Sequence, residues 1–408
     1  MKHVVVILDG AAGFPLQELD GKTTLEAAKT PNLDALARDG LTGLAKTVPD
    51  GMEASSSTAC ESILGYDPEH QPLGRGGIEA TSMGIKLTNW ELALRLNLVT
   101  IEDGKMKSYS AGNISSEESH EIIAELSAAL DDEVFRIHPG IGYRHILVIT
   151  GYNDLVALKY TPPHDISDKM VLFRMPKGEN AGLLMDYMRR AREVLAESPV
   201  NARRIKDGKL PATDVWLFWP GLMPWGLKPF AEKYGVSAVL TSGVDLLNGL
   251  ARLTGIGCLE IAGVTAGSDT DYAAQAEGAL AALEDHDVVF IHIEAPDEAG
   301  HAGDIAEKIA AIEAIDREIV SRVREAADRF DGGMRILAMP DHFTPIATKT
   351  HSREPVPFVL WGEGIVPDSA EVYSEAVAAG TRLRVDPGFK IMAKLLAKPK
   401  PEEGEKAE

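Results

Sequence analysis

Cysteine is nearly missing from this chain: Cys60 and Cys258 are the only two in 408 residues. Two thiols cannot make a disulfide framework, so both are expected to be reduced, in the cytoplasm. Positive charge is also in deficit, with 41 Lys and Arg against 62 Asp and Glu and a formal net charge of −21. Such a surface argues against nucleic acid and anionic membrane as partners. No apolar run approaches the length of a membrane span, and the N-terminus passes straight into strand-like sequence without signal-peptide architecture. The rest is ordinary for a globular protein, 45% apolar and 25% charged. A chain of this length can hold two domains and a large core.

What the sequence does have is a set of acids and histidines at useful places. Lys2 to Leu8 (KHVVVIL) reads as a buried strand and ends at Asp9-Gly10. Val288 to Ile293 (VVFIHI) is a second such run, followed by Asp297-Glu-Ala-Gly-His301, and Arg335 to Met339 is a third, ending at Pro340-Asp341-His342. His351 follows on a loop before Glu354-Pro355. In open parallel sheets the binding crevice lies outside the carboxyl ends of the strands, so these runs deliver their acids to one rim. Any one of these residues alone reads as a turn former, a helix cap or a hydrogen-bonded histidine. Three strand-end acids, two with a histidine one or four residues on, are hard to obtain from turn chemistry. Carboxylate oxygens beside imidazole nitrogens suit divalent Mn, Zn, Co or Fe better than Ca. Asp9, Asp297, His301, Asp341, His342 and His351 are too many ligands for one open catalytic ion and fit two.

A hydroxyl nucleophile is expected near a helix start. Glu53 to Gly65 carries Ser55, Ser56 and Ser57 in a row, then a stretch of helical character closed by Gly65. The free N-H groups and positive dipole of a helix N-terminus favour phosphate and a developing alkoxide. A serine there is most often an N-cap; beside the metal set, one of the three is read as the nucleophile.

Along the chain, residues 1–85 open an α/β domain, with a helix near Pro31 to Arg38 and the serine helix at 58 to 64. Glu91 to Leu98 then alternates leucine at every second position and runs through Ile101 to the hairpin signal Glu102-Asp-Gly-Lys105. Helical Glu117 to Leu130 follows, with strand-like Val134 to Ile137, Arg144 to Thr150 and Leu155 to Leu158. Residues 86–194 are therefore expected to form an inserted α+β domain that caps the substrate. From Val215 (VWLFW) the βα rhythm is expected to return, with helices near 228 to 234, 244 to 253 and 271 to 284 and a long one from about 304 to 327, so residues 1–85 and 195–397 form the discontinuous metal-binding domain. The tail 398–408 (KPKPEEGEKAE) lacks hydrophobic periodicity and is expected to be disordered.

Asp9-Gly10, Gly21 to Asp34 (GKTTLEAAKTPNLD), Leu64 to Pro68 (LGYDP), Gly74-Arg-Gly76 with Ile78-Glu-Ala80, Asp297 to His301 and Asp341-His342 resemble the archaeal-type 2,3-bisphosphoglycerate-independent phosphoglycerate mutases, of the alkaline phosphatase superfamily. The resemblance runs from about residue 3 to 395. It implies an alkaline-phosphatase-like, mostly parallel sheet sandwiched by helices, with a smaller α+β insert. It also implies an isomerase of glycolysis and gluconeogenesis that interconverts 3-phosphoglycerate and 2-phosphoglycerate through a phosphoserine, without 2,3-bisphosphoglycerate. Two divalent ions are implied, manganese ahead of zinc, cobalt or magnesium, with Asp297, His301 and His351 on one and Asp9, Ser56, Asp341 and His342 on the other. Ser56 is selected by counting back from Leu64 to the family's Gly-Ser-Asp. Here Ser55 and Ser57 replace the flanking Gly and Asp, and Cys60 stands where archaeal members often carry His. The alternative is a related metal-dependent phosphotransferase or phosphatase with a homoserine-kinase-like or phosphonate-related substrate.

A small phosphorylated carboxylic acid needs cations for both ends. Arg75, Arg95, Arg144 with His145, Arg203 or Arg204, and His164 are the candidates, since guanidinium grips oxyanions bidentately. Glu294 and Glu298 are candidate acids, bases or supporting groups.

Overall fold

Six of the seven residues of Lys2–Leu8 are buried, as expected of a strand covered on both faces. It pairs in parallel with Val288–Ile293 on one side and Met334–Met339 on the other. The computed structural model describes residues 1–71, 73–223 and 227–398. Except for Lys398, the tail expected to be disordered lies outside the described residues.

The chain divides into two units, residues 1–72 with 226–408, and residues 73–225. The first carries an eight-stranded sheet in the order Arg384–Val385, Leu41–Ala45, Val356–Gly362, Met334–Met339, Lys2–Leu8, Val288–Ile293, Ala238–Thr241, Gly257–Leu259. It is parallel except for Val356–Gly362, which runs against both of its neighbours. Helix residues Leu33, Leu36, Ile312 and Ile319 pack with Val4, Val6, Leu8, Ile291 and Ile336 in one apolar core. Full burial of each such side chain is worth about 1.5–3 kcal/mol.

The helix expected from 304 to 327 is interrupted. Ile305–Ala314 gives way to a π-helical stretch, Ile315–Val320, before Ser321–Glu325. Within that stretch Asp316 accepts from the backbone N-H of Asn32 at 3.1 Å and of Leu33 at 2.7 Å. These are first-turn donors of helix Pro31–Arg38, whose own N-cap Thr30 makes no side-chain bond.

The second unit is built on Glu91–Glu102, which pairs antiparallel with Arg144–Thr150, Asp214–Leu222 and, at its far end, Lys105–Ser108. Phe135–His138 extends the sheet beyond Arg144–Thr150. Leu92, Leu94, Leu96 and Leu98 pack with Ile122 and Leu126 of helix Ser116–Leu130 and Leu184 and Met188 of helix Ala181–Ala196. The unit is wider than the expected insert of 86–194 at both ends. The VWLFW run is one of its antiparallel strands instead of a restart of the parallel rhythm, and helix Arg75–Ser82 packs on that strand and on Glu91–Glu102. Leu155 to Leu158, expected as a strand, falls largely within the 3-10 helix Asn153–Ala157.

Candidate metal centre

The six expected ligands and Ser56 lie together at the carboxyl rim of the first unit's sheet. Asp9 leaves the central strand fully buried, and Gly10 turns beneath it with φ +59°. A Cβ on Gly10 would overlap the Asp297 carboxylate and lie 2.6 Å from Thr344 Oγ1. Only glycine meets both the left-handed backbone and the close approach.

Asp297 and His301 are one turn apart on helix Ala295–Ala302, which starts just past strand Val288–Ile293. His301 Nε2 is 3.1 Å from Asp297 Oδ2, His351 Nε2 is 3.4 Å from Oδ1, and the two Nε2 atoms are 2.8 Å apart. The opposite nitrogens face carbonyl oxygens: His301 Nδ1 on Lys349 at 3.0 Å, and His351 Nδ1 on Ala54 at 3.1 Å. A carbonyl only accepts, so both Nδ1 atoms carry the hydrogen, and in the neutral rings two Nε2 lone pairs converge beside a carboxylate. That arrangement calls for a cation, and carbonyl-anchored histidines are the usual form of metal ligands.

The second group is next to the first. His342 Nε2 lies 3.2 Å from Asp341 Oδ2, 3.6 Å from Asp9 Oδ1 and 3.2 Å from Ser56 Oγ. Asp341 Oδ1 accepts from the N-H of Gly10 at 3.0 Å and of His342 at 2.8 Å, which fixes the carboxylate. Asp9 Oδ1 is buried without a hydrogen-bond partner, the kind of orphan a metal would satisfy. Ser55 caps helix Ser56–Ile63 by accepting from Thr58 N-H, leaving Ser56 as its first residue. Cys60 Sγ lies 3.7 Å from Asp341 Oδ2.

Potential ligand atoms converge in three sets: Asp297, His301 and His351; Asp9, Asp297 and His342; and Asp9, His292 and Glu294. His292 was not anticipated. It sits inside the apolar run VVFIHI, with Nε2 2.7 Å from Asp9 Oδ2 and Nδ1 3.0 Å from Ser242 Oγ. A histidine interrupting a fully buried strand was the available signal.

The electrostatics are those of a cluster short of positive charge. Burial, then Asp341 and Glu294, push the Asp9 carboxyl well up. Burial raises Glu294 to about 7, with Asp297 and Asp341 adding to it. Burial would raise Asp297 as well, but when the rings are protonated at Nε2 their hydrogen bonds, from His301 and His351, hold it well below the usual range. The Asp297 bond lifts His301 to about 9, whereas burial lowers His292 to about 4. Divalent ions would relieve this crowding of acids.

The expected substrate-contact residues separate. In the second unit Arg75, Arg95 and His164 gather around Trp219. The Arg75 guanidinium lies 3.6 Å and that of Arg95 5.9 Å from the indole centroid, and the His164 ring is 5.5 Å away. Glu79 pairs with both, taking Arg75 Nε at 3.0 Å and forming a short contact with Arg95 Nη1. Arg144, exposed, lies over Tyr143 at 5.7 Å, and Tyr143 packs on Tyr109, whose ring is 6.3 Å from His164.

Two expectations are corrected. Arg204 is 2% exposed, with its guanidinium engaged by Glu118 and the carbonyls of Ala111 and Leu210, so it ties helices together and has no free face for a ligand. Arg203 is paired with Glu121 on the surface. His145 is 1% exposed, with Nδ1 accepting from Gly140 N-H at 3.0 Å and Nε2 buried without a hydrogen-bond partner, so it sits in the interior of its unit with no open face for a ligand.

A mostly parallel α/β sheet whose rim collects carboxylates, imidazoles and a helix-terminal serine defines a protein built for divalent cations. Residues 37–201 match the family model described as 2,3-bisphosphoglycerate-independent phosphoglycerate mutase. A Methanothrix thermoacetophila protein of that name is 44% identical over 379 residues, covering 93% of this chain and 95% of its own. A solved Pyrococcus horikoshii structure superposes with a TM-score of 0.82 at 29% identity, over 99% of both chains. The cofactor-independent phosphoglycerate mutase of Thermoplasma acidophilum gives 0.67 at 27% identity, over 97% of this chain and 99% of its own. The chain belongs to the 2,3-bisphosphoglycerate-independent phosphoglycerate mutase family.

Proposed function

We propose that the chain is an isomerase that interconverts 3-phosphoglycerate and 2-phosphoglycerate through a phosphoserine on Ser56, without 2,3-bisphosphoglycerate. The observation that carries this reading is Ser56 Oγ, at the start of a helix and 3.2 Å from His342 Nε2, inside a cluster of metal-ligand type. Two divalent ions, manganese first, would be held by Asp297, His301 and His351 and by Asp9, Asp341, His342 and Ser56, and would supply Lewis-acid charge and a lowered serine pKa. Ser56 Oγ attacks the phosphorus of 3-phosphoglycerate in line, and the C3 oxygen leaves. The glycerate is retained and reoriented, and its C2 hydroxyl takes the phosphoryl group back from Ser56. Arg75, Arg95, Arg144 and His164 hold the oxyanions of this small acid, since such transfer is largely positioning and charge stabilisation. The cytoplasm is the compartment.

A second reading is supported by one observation. Ser57 stands where the family has Asp, and its Oγ is spent on Ser55 Oγ at 3.0 Å. If the missing carboxylate handles a proton in the return step, the phosphoserine would pass to water or another alcohol. Purified full-length protein with Mn and 3-phosphoglycerate, assayed for 2-phosphoglycerate against free phosphate, separates the two. Equilibrating 2-phosphoglycerate supports the mutase; stoichiometric phosphate release overturns it.

A further inference from the structure

Antiparallel pairing of Glu91–Glu102 with Asp214–Leu222 runs in regular register except at one place. Leu94 lies opposite Pro220 and Arg95 opposite Phe218, so Trp219 is an extra residue with no partner across the ladder. It is a β-bulge, and its φ of +46° is left-handed. Tryptophan has no intrinsic reason to be there. A bulky side chain at positive φ is an outlier that its surroundings must hold in place, and bulges next to functional sites serve to re-aim a side chain.

The surroundings hold it closely. Helix Arg75–Ser82 begins against this bulge, where a Cβ on Gly76 would be 2.6 Å from Trp219 O and one on Gly74 2.5 Å from Pro220 O. The glycines flanking Arg75 thus let the helix start touch the bulged backbone. The indole, turned out of the ladder, takes the Arg75 guanidinium at 3.6 Å, with His164 at 5.5 Å and Phe218 at 4.6 Å. Of the Arg75 donors, Nε is bound to Glu79 at 3.0 Å, while the Nη groups have no protein partner among the described residues. Two arginines, Arg75 and Arg95, share one carboxylate, Glu79, which leaves an excess of positive charge there, while His164 lies 3.8 Å from Asp165. A guanidinium stacked on an indole is pre-oriented, so less freedom is lost when it grips an oxyanion.

Resting on the mutase reading, we propose that Trp219 is the positioning residue of this oxyanion grip: its bulge exists to set the Arg75 guanidinium, with His164 beside it, for one end of a small phosphorylated hydroxy acid. Trp219 itself makes no hydrogen bond to the ligand. Its contribution is to the affinity and order of Arg75.

Full-length Ser56→Ala protein, with Mn, tests this by calorimetric binding of 3-phosphoglycerate without turnover. Trp219→Gly relieves the backbone and removes the ring. Its melting temperature is expected to hold or rise while affinity falls by about tenfold or more, and Trp219→Phe, which restores a stacking face, is expected to stay within about threefold of the parent. Affinity within about threefold in Trp219→Gly overturns the proposal, as does a Trp219→Phe loss as large as that of glycine. The readings fail separately. Wild-type protein that binds 3-phosphoglycerate but only releases phosphate from it sinks the mutase and leaves the grip; a working mutase whose glycine variant binds normally sinks the grip alone. Absence of binding by the Ser56→Ala parent overturns both.

Discussion

The imidazoles of His342 and His351 are stacked, with ring centroids 3.9 Å apart and planes inclined by 28°. The two candidate ligand groups therefore share a wall, and Asp297 belongs to a ligand set on either side of it. Loss of a shared residue is expected to be felt at both positions.

Asp297→Asn should therefore lower bound Mn more than His351→Ala. The first is expected to drop below one ion per chain and the second to leave about one, against two in the parent. Elemental analysis after dialysis against Mn checks this; parental stoichiometry in Asp297→Asn would remove the residue from the centre.

Ser56→Ala deletes one half-buried hydroxyl at a helix start whose cap is the neighbouring Ser55. Turnover of 3-phosphoglycerate should fall by about a thousandfold or more, with the melting temperature nearly unchanged. Residual turnover near the parental rate would move the nucleophile elsewhere.

Arg204→Met tests the correction made to that residue. Removing the guanidinium leaves the carbonyls of Ala111 and Leu210 without their donor, while Glu118 keeps Lys209 at 2.8 Å, at a cost of about 2 kcal/mol in urea unfolding. The KM for substrate is expected to stay put, because nothing about the residue faces a ligand.

His145 provides the pH test. Burial holds its imidazole at about 3, against an ordinary 6.5 in the unfolded chain. The unfolded state takes up a proton as pH falls through 6.5 while the folded state does not, so stability is full above that value and lost as pH falls towards 3. Between pH 7 and 5 the loss is about 2 kcal/mol. His145→Gln should flatten that part of the stability profile measured by denaturant titration.

The rim acids were legible because strand ends are. Asp9, Asp297 and Asp341 follow short apolar runs of strand length. His292 was not, since it lies within such a run, and which face of a doubly covered strand meets the site is decided by packing, not by pattern. Arg204 and His145 were misjudged for a related reason: a cationic side chain carries no mark of its burial, and the partner of Arg204, Glu118, comes from a distant segment. The VWLFW run has the composition of any buried strand, so its choice of an antiparallel neighbour depended on a long-range pairing with Glu91–Glu102. The π-helical stretch at 315–320 answers to a helix start nearly three hundred residues away in sequence.

Ile7 lies opposite His292 on one side and Met339 on the other, in unbroken parallel register. The height of each acid above the sheet is thus inherited from hydrogen bonds between three neighbouring backbones. A single-residue insertion or deletion in any of them would swing its side chains to the opposite face. A change of length is consequently tolerable only in the connections, and the spacing of charges at the rim stands or falls with the ladder beneath it.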